Sequence, residues 1–390
     1  MKKALLLIYL FISSQFIFAQ QNLLSEQAKI SVLTISQGNS LNDAFGHNAF
    51  RINDSTHNLD ITFDYGRFDF EAPNFYLNFA RGKLNYSIGS ADFYDFLRFY
   101  VSQNRTVKEQ VLNLSQNEKQ SLYNYLLENN KPENRNYLYE FFFDNCATKI
   151  KDVVNITLNN TVDFNVPEDL EQETFRTLIH NNLNRNSWGS LGIDIALGSV
   201  IDRKATPEEH MFLPENIYRF FKVATIKNDN KLVKENNILY QKKETIKTNS
   251  FFTSPLFVFG IIAILILYIT FKDYKNRKQT KWLDIMLFSI TGLIGVLILL
   301  LWFATDHKGT HQNYNLLWAF ALNILFVGQF LKEKVSNWFV KYIKLLIILL
   351  CLLTLHWIIG VQVFAIGLIP FLVALFVRYV FLVKILPQKH

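Results

Sequence analysis

The sequence is short of charged residues. Only 19% of its 390 residues are Asp, Glu, Lys or Arg, against about 25% in average soluble domains. The C-terminal part is the poorest: residues 251–390 contain 13 Lys and Arg but only 4 Asp and Glu. The net charge of +7 therefore comes from short basic loops between apolar runs, where positive charge reports membrane orientation. This pattern excludes a nucleic-acid-binding protein and a wholly soluble one.

Five apolar runs follow residue 250, and each approaches or reaches the length that a helix needs to cross a bilayer. They span residues 252–271, 283–303, 315–331, 342–359 and 361–383. Lys and Arg collect in the connections 272–281 and 332–341 and near the C-terminus. Because basic loops stay in the cytoplasm, we predict an inner-membrane protein with a cytoplasmic C-terminus. Residues 21–250 are then periplasmic.

The N-terminus has the three parts of a secretory signal. Lys2 and Lys3 precede the apolar run 4–18, and Ala19 is a small residue at a plausible cleavage site. A short N-terminal membrane anchor is the alternative. No cysteine follows the run, so we do not expect the protein itself to be a lipoprotein. The predicted organisation is a signal peptide (1–20), a periplasmic domain (21–226), a polar tether (227–250) and a transmembrane domain (251–390).

The periplasmic part predicts an α+β domain. Residues 29–36 are β-branched and apolar, as in a buried strand, while 47–53 and 58–65 alternate around a turn, as in a hairpin. Hydrophobic periodicity and capping residues predict the helices. These cover residues 91–102, 115–129, 147–154 and 167–180, and the segment 186–214 is predicted to be a loop.

Cysteine is scarcer still, since the chain has only two. Cys351 lies within an apolar run, where a lone cysteine is most often a small buried residue. Cys146 lies in the periplasmic domain, an oxidising compartment in which an unpaired thiol calls for a reason. Asp144 and Asn145 are good N-cap residues, so Cys146 is expected on the first turn of a helix, where the dipole favours the nucleophilic thiolate. A buried structural cysteine is the alternative.

A thiolate nucleophile needs a base. His47 opens a predicted strand directly after Gly46, where a side chain can face a cleft. The predicted hairpin would bring Asp64 roughly opposite His47, and its carboxylate could then orient the imidazole in a Cys–His–Asp arrangement. A solvated strand residue is the alternative for Asp64. His57, His180 and His210 are expected at the surface.

No metal site is predicted. The histidines of the periplasmic domain are widely spaced, and the His-x-x-x-His pair formed by His307 and His311 contains Gly309, which weakens a helical metal site. This pair lies in the loop 304–314, on the same side of the membrane as Cys146. We interpret the loop as a lid or a substrate contact.

Several short motifs follow one another along the chain. They are Gly46-His47-Asn48-Ala49-Phe50-Arg51, Tyr65-Gly66-Arg67-Phe68, Phe142-Phe143-Asp144-Asn145-Cys146-Ala147-Thr148, Trp188-Gly189-Ser190-Leu191-Gly192-Ile193-Asp194, Thr305-Asp306-His307 and Asn315-Leu316-Leu317-Trp318. Their order resembles the Lnb family, lipoprotein N-acyltransferases of Bacteroides-type bacteria, over nearly the whole mature chain. The resemblance implies acyl transfer to the α-amino group of a lipoprotein's lipidated N-terminal cysteine, with Cys146 as nucleophile and His47 as base.

More distantly, a histidine ahead of an Asn-Cys helix start is similar to circularly permuted papain-like enzymes. The expected fold is therefore α+β, with a permuted papain-like (NlpC/lecithin–retinol acyltransferase-like) extracytoplasmic domain followed by a five-helix transmembrane bundle. The expected partners are diacylated lipoproteins, and the acyl donor is either a membrane glycerolipid or the lipoprotein's own glycerol ester. No cofactor and no nucleic acid are expected. The candidate substrate contacts are Asn145, Arg51, Tyr65, His307 and His311.

Two other functions are compatible with the sequence. A membrane-anchored NlpC-like peptidoglycan amidase or endopeptidase would use the same Cys–His chemistry, but it would need a polar cleft and gains nothing from the additional helices. A non-catalytic binding module on a transporter-like membrane unit is the other. The apolar runs hold few ionisable residues, chiefly Asp284, His356 and Arg378, which disfavours an ion path.

Overall fold

The computed structural model describes residues 23–227, 229–244 and 251–386. The predicted signal peptide (1–20) and the last part of the predicted tether (245–250) lie outside the described residues. The described chain forms a mixed α and β domain followed by a helical region, in the predicted order.

The strands of the N-terminal domain are β1 (Lys29–Ile35), β2 (His47–Asp54), β3 (Leu59–Arg67), β4 (Leu84–Asp92), β5 (Val107–Leu112), β6 (Asn136–Tyr139), β7 (Val162–Asp163), β8 (Thr225–Ile226), β9 (Asn230–Lys231) and β10 (Val233–Tyr240). Its helices are α1 (Phe75–Arg81), α2 (Phe93–Ser102), α3 (Gln116–Asn129), α4 (Cys146–Thr157), α5 (Phe175–His180), α6 (Trp188–Ala196) and α7 (Pro214–Val223). The helical region contains α8 (Pro255–Asn276), α9 (Lys281–Phe303), α10 (Asn323–Phe326), α11 (Asn337–Ile358) and α12 (Ile369–Ile385).

A seven-stranded sheet is the frame of the N-terminal domain. Its order is β10-β5-β1-β2-β3-β4-β6, and every neighbouring pair is antiparallel. One face packs against α3, α4 and α7 in the largest core of the domain. The other face packs against α2, whose Phe93, Phe96 and Tyr100 lie against Leu33 and Ala49. The predicted hairpin is confirmed as β2 and β3, and the predicted buried strand as β1.

Three segments differ from the predictions. The helix predicted over 167–180 covers only 175–180 and begins after Thr174, whose side chain caps it. The predicted loop 186–214 contains α6, which starts at the capping residue Ser187. The predicted tether 227–250 contributes β10, an edge strand of the sheet. Its polar sequence resembles a linker because an edge strand exposes most of its residues to solvent.

Four helical segments are long and apolar enough to cross a membrane: α8, α9, α11 and residues 366–385. The predicted count of five helices is not confirmed, since the third predicted run, 315–331, consists of α10 and short 3₁₀ turns. The described side chains explain how this broken segment is tolerated. Asn323 donates to the Thr291 hydroxyl at 2.8 Å and accepts from the Tyr342 hydroxyl. Irregular backbone is stable at membrane depth when it is buried in protein in this way.

The N-terminal domain is held on the helical region through residues 194–202. Asn315 donates to the backbone oxygen of Asp194 at 2.8 Å, and the Gly198 N–H donates to the Gly309 oxygen at 2.9 Å. Gly198 is required there, because a Cβ would lie 1.8 Å from the His311 oxygen. The buried Arg176 stabilises the same segment by bonding Asp194, Asp202 and the oxygens of Leu197 and Gly198. The domain is therefore fixed against one end of the helices.

A buried ion cluster joins three helices at the opposite end. Arg378 lies 2.7 Å from Asp273 and 2.6 Å from Asp284. We expect Arg378→Met to destabilise the fold by about 3–5 kcal/mol, because it leaves two buried carboxylates without their partner. Thermal unfolding of the purified full chain in detergent measures the effect. Lys384→Met, an exposed position on the same helix, is the matched control, and equal melting temperatures for the two variants would contradict the prediction.

Candidate active site

Cys146 is the first residue of α4, as predicted. Asn145 is the N-cap, and its side-chain oxygen accepts from the N–H groups of Ala147 at 2.8 Å and Thr148 at 3.0 Å. Its amide nitrogen donates to the backbone oxygens of Phe141 and Phe212, both at 2.8 Å. These bonds use both polar atoms of the Asn145 amide. Asn145, which was predicted to be a substrate contact, therefore anchors the start of the helix that carries the thiol.

His47 meets both Cys146 and Asp64. Its Nε2 lies 3.1 Å from the Asp64 carboxylate, and the Cys146 thiol is close enough to raise the pKa of its ring. Asp64 is not directly opposite His47, because the register Phe50↔Phe63 places Asp64 one step further, beside Ala49. His47 is two residues from Ala49 on the same strand, so the two side chains lie on the same face. Because Asp64 is opposite Ala49, His47 and Asp64 share a face of the sheet. The two side chains therefore meet along a diagonal.

A β-bulge at Gly66 shapes this end of β3. The pairing with β4 shifts by one residue between Asp64 and Arg67, and Gly66 has φ +92°, a conformation that favours glycine. The extra residue brings Arg67 to the side of Asp64, where its Nε donates to the carboxylate at 2.9 Å. The bulge also places Gly66 beside the thiol, since a Cβ at this position would lie 3.6 Å from the Cβ of Cys146.

The acidic surroundings favour a charged imidazole. Burial by itself would lower the pKa of His47, but the acidic groups of Tyr100 and Cys146 and the hydrogen bond to Asp64 outweigh it and raise the pKa well above 6.5. Burial would raise the pKa of Asp64, but His47 and Arg67 lower it below its usual value. At neutral pH the arrangement is therefore a carboxylate beside an imidazolium, with the sulfur of Cys146 nearby.

We expect Asp64→Asn to slow alkylation of Cys146 by iodoacetamide at pH 6–7, by roughly threefold to tenfold. Without the carboxylate the pKa of His47 falls, so the imidazolium beside the sulfur is lost at a lower pH; one pKa unit corresponds to tenfold. The rate is measured by peptide mass spectrometry across pH in a Cys351→Ala background. Asp60→Asn, which breaks a nearby ion pair with Arg51, is the control. Identical profiles for the two variants would show that Asp64 does not tune the thiol.

Two predicted substrate contacts lie away from this site. Arg51 pairs with Asp60 at 2.8 Å and Glu109 at 2.9 Å, and it ties three strands together. Tyr65 is buried and donates through its hydroxyl to Asn129 at 2.6 Å. Both residues are therefore engaged in packing the domain.

Of the histidines expected at the surface, His210 is buried and His180 is only partly exposed, which corrects the prediction. The side chain of His180 is 8% exposed and contacts Asp194 at 2.9 Å. His210 is 1% exposed and bonds the Thr206 oxygen. His57 is exposed as predicted. Periodicity could not reveal the burial of His180 and His210, because their environment is formed by α6 and its neighbouring loops, which were predicted as irregular.

The loop 304–314 reaches the N-terminal domain close to the candidate site. His307 Nε2 lies 2.9 Å from the Phe79 oxygen, and Lys308 Nζ lies 5.5 Å from the centre of the Phe143 ring. His311 is extended and follows a 3₁₀ turn over 308–310, so the two histidines do not lie on one helix. Among the described residues, no group of three His, Cys, Asp or Glu side chains is arranged to hold a metal ion.

Sequence patterns missed three neighbours of the site. The position of Arg67 beside Asp64 could not be predicted, because it depends on the β-bulge at Gly66. A glycine inside a strand pattern is nevertheless a signal for a bulge. Tyr100, whose ring centre is 6.3 Å from that of His47, lies on the core face of a helix, where an aromatic residue carries no functional signal. Tyr137 has a buried hydroxyl without a hydrogen-bond partner among the described residues, and only the fold places it near Cys146.

Two family models match the chain. One, described as the Lnb N-terminal periplasmic domain, matches residues 17–181, which include Cys146, His47 and Asp64. The other, described as the Lnb transmembrane domain, matches residues 246–390 and includes the loop 304–314. No curated protein and no solved structure matches the chain. The two matches together cover the residues of the candidate site and the helical region, and residues 182–245 lie outside them.

Proposed function

The chain belongs to the Lnb family, and from that premise we propose that it is a membrane-bound lipoprotein N-acyltransferase. It moves a fatty acyl group, through a thioester on Cys146, to the α-amino group of a lipoprotein's lipidated N-terminal cysteine. The observation that carries the proposal is the contact of His47 with both Cys146 and Asp64. This contact occurs in a domain held against one end of the membrane helices, where lipid-anchored substrates are within reach.

In the first half-reaction His47 holds the proton of the Cys146 thiol, and the sulfur attacks the ester carbonyl of a membrane glycerolipid. A carbon–sulfur bond forms and the ester carbon–oxygen bond breaks. The imidazolium then gives its proton to the departing glycerol oxygen. The products are a lysolipid and a thioester at Cys146, while Asp64 keeps the imidazole ring in orientation.

The helix start supplies a donor for the negative oxygen that develops during this attack. The N–H groups of Ala147 and Thr148 already donate to Asn145. The Cys146 N–H has no acceptor among the described residues, and it belongs to the nucleophile itself. A backbone N–H in this position stabilises an oxyanion on the carbonyl that the sulfur attacks.

In the second half-reaction the neutral α-amine of a diacylated lipoprotein attacks the thioester carbonyl. A carbon–nitrogen bond forms, the carbon–sulfur bond breaks, and His47 transfers the amine proton to the sulfur. The sum is one ester and one amine converted into one alcohol and one amide. The balance consumes no oxidant, nucleotide or cofactor.

We further propose that the protein lies in the inner membrane with its C-terminus in the cytoplasm. Lys281 Nζ lies 3.1 Å from the backbone oxygen of Lys332, so two basic connections meet at the end of the helices away from the N-terminal domain. Basic loops favour the cytoplasmic side. For the domain itself we retain the permuted papain-like fold as a proposal. It is supported by the chain order of His47, Asp64 and Cys146 and by a nucleophile at a helix start beside an antiparallel sheet.

Mass spectrometry of lipoprotein N-terminal peptides tests this function. Cells that lack the gene should lose the amide-linked acyl group on the N-terminal cysteine, and the wild-type gene should restore it. N-termini that remain acylated in the deletion strain would overturn the proposal. Altered muropeptides in the same strain would then support a peptidoglycan amidase.

A further inference from the structure

An apolar surface on the N-terminal domain has no covering within the described chain. It is formed by residues 68–79 together with Phe141, and we call it the aromatic surface. Helix α1, whose first residues belong to it, has no buried residue. Its exposed members are Phe68, Phe70, Tyr76, Leu77, Phe79 and Phe141, with exposed fractions from 38% to 74%. A continuous apolar patch of this kind marks a binding surface more often than a solvated one.

The aromatic surface lies at the level where a membrane helix leaves the bilayer. Arg81, the last residue of α1, accepts a backbone hydrogen bond from Asp306 at 2.9 Å, three residues after the end of α9. Helix α9 has 23 residues and is about 34 Å long, slightly more than the roughly 30 Å hydrocarbon core. Its last residue, Phe303, is exposed. The aromatic surface is therefore at the depth of the lipid headgroups.

Ring contacts connect this surface with the thiol. The Phe68 ring lies 5.0 Å from that of Tyr86, which lies 4.4 Å from Tyr139. Phe141, on the other side, is 5.4 Å from Tyr139. A Cβ at Gly66 would be 3.7 Å from the Tyr139 ring and 3.6 Å from the Cβ of Cys146. A row of packed aromatic rings thus connects the aromatic surface with the surroundings of the nucleophile.

Arg81 and Lys308 form a cationic rim at the end of the aromatic surface nearest the loop 304–314, while the exposed Asp69 and Glu71 lie within the surface itself. Arg81 and Lys308 are exposed, and the Lys308 ammonium lies 5.5 Å from the Phe143 ring centre. Cations at headgroup depth attract the phosphate of a lipid. An apolar surface with a cationic rim matches a phospholipid, in which an anionic headgroup stands next to two acyl chains.

We propose that the aromatic surface binds an acyl chain of a membrane glycerophospholipid and leads its ester carbonyl to Cys146. The inference rests on the proposed acyltransferase function, and it names the donor lipid and its entry route. The chain lies along the rings of residues 68–79, the phosphate stays at the cationic rim, and Tyr139 guides the ester to the sulfur.

Photo-crosslinking tests the binding step without any chemistry at the thiol. The full-length Cys146→Ala protein is reconstituted in phosphatidylethanolamine vesicles that contain a trace of phosphatidylethanolamine with a diazirine in one acyl chain. Peptide mass spectrometry should find the label within residues 68–79 and 139–143. The exposed Tyr94 and Phe99 on α2 are matched aromatic positions that should remain unlabelled. Equal labelling of both regions, or no label within 68–79, would overturn the inference.

Acylation kinetics test the delivery step. The double variant Phe70→Ser, Tyr76→Ser should form the Cys146 thioester from vesicle lipid at least about tenfold more slowly, because two apolar contacts with the chain are lost. Its reaction with water-soluble p-nitrophenyl acetate should match the wild type. Tyr94→Ser, Phe99→Ser is the control and should leave both rates unchanged. An unchanged lipid rate, or equal losses with both esters, would refute the route.

The two proposals fail in different ways. If wild-type Cys146 forms no thioester with either ester, the acyltransferase proposal is wrong, and the proposed delivery of lipid to this thiol is wrong as well. If the wild type forms the thioester but the aromatic-surface variant reacts normally with vesicle lipid, the function holds and only the entry route is wrong.

Discussion

Replacing Cys146 with alanine is expected to abolish lipoprotein N-acylation, with a loss of at least about 10³-fold in rate. The thioester cannot form without the sulfur, and neither half-reaction has another route. Cys351→Ala is the matched control, because it removes the other cysteine of the chain, at an exposed position on α11. Each variant is introduced into the deletion strain, and the N-terminal peptides of its lipoproteins are analysed by mass spectrometry.

The prediction holds only if Cys146→Ala loses lipoprotein N-acylation and Cys351→Ala keeps it. Protein abundance in the membrane fraction is measured in parallel, so that loss of the chain is not mistaken for loss of chemistry. N-acylated peptides in the strain with Cys146→Ala, at the wild-type level, would show that the thiol is not the nucleophile. Loss of acylation in both variants at normal abundance would likewise contradict a specific role for Cys146.

Replacing His47 with glutamine is expected to slow thioester formation by about 10²–10⁴-fold, the usual range for a general acid–base group. The substitution removes the group that both shares the proton of the thiol and protonates the departing glycerol oxygen. The rate follows from the mass increase of the intact protein, with release by hydroxylamine as proof of a thioester. His57→Gln is the control, since the exposed His57 bonds only the nearby Asp54 among the described residues.

A pH profile shows whether His47 takes part in the reaction or only stabilises the fold. In the wild type the reaction should weaken as pH rises through the pKa of His47, which lies above 6.5, because the imidazolium is then lost. The His47→Gln variant should lack this decline, because it has no imidazolium to lose. A variant that keeps the wild-type profile at a lower amplitude would point to a damaged fold instead of a missing base.

Local patterns were sufficient where the relevant interactions are close in the chain. The capping residues Asp144 and Asn145 predicted the start of α4 at Cys146, and the observed cap bonds span only two or three residues. The alternation around 54–57 predicted the hairpin that joins His47 to Asp64. Its exact register escaped prediction, because the offset of two residues depends on how the turn closes.

Patterns failed where the partner of a segment is distant. β10 has a polar sequence that is typical of a linker, and only its pairing with β5 makes it a strand. Helix α6 contains two glycines, which disfavour a helix by about 1 kcal/mol each. Its hydrogen bonds with the loop at Asn315 come from residues more than 100 positions away. The third apolar run has the composition of a membrane helix, yet it does not form one regular helix. Its buried asparagines form hydrogen bonds with neighbouring helices.

By itself, then, the sequence determined a membrane-bound chain with an α+β domain and a thiol at a helix start, and it suggested the histidine that we propose as the base. These features depend on composition and on contacts within a few residues, which a linear pattern records. Only the tertiary structure decided that a bulge at Gly66 brings Arg67 to Asp64 and that residues 194–202 hold the domain on the helices. It also decided that the helix next to the aromatic surface meets the loop that follows α9. These features depend on which distant segments meet, and that is settled by the packing of the whole chain.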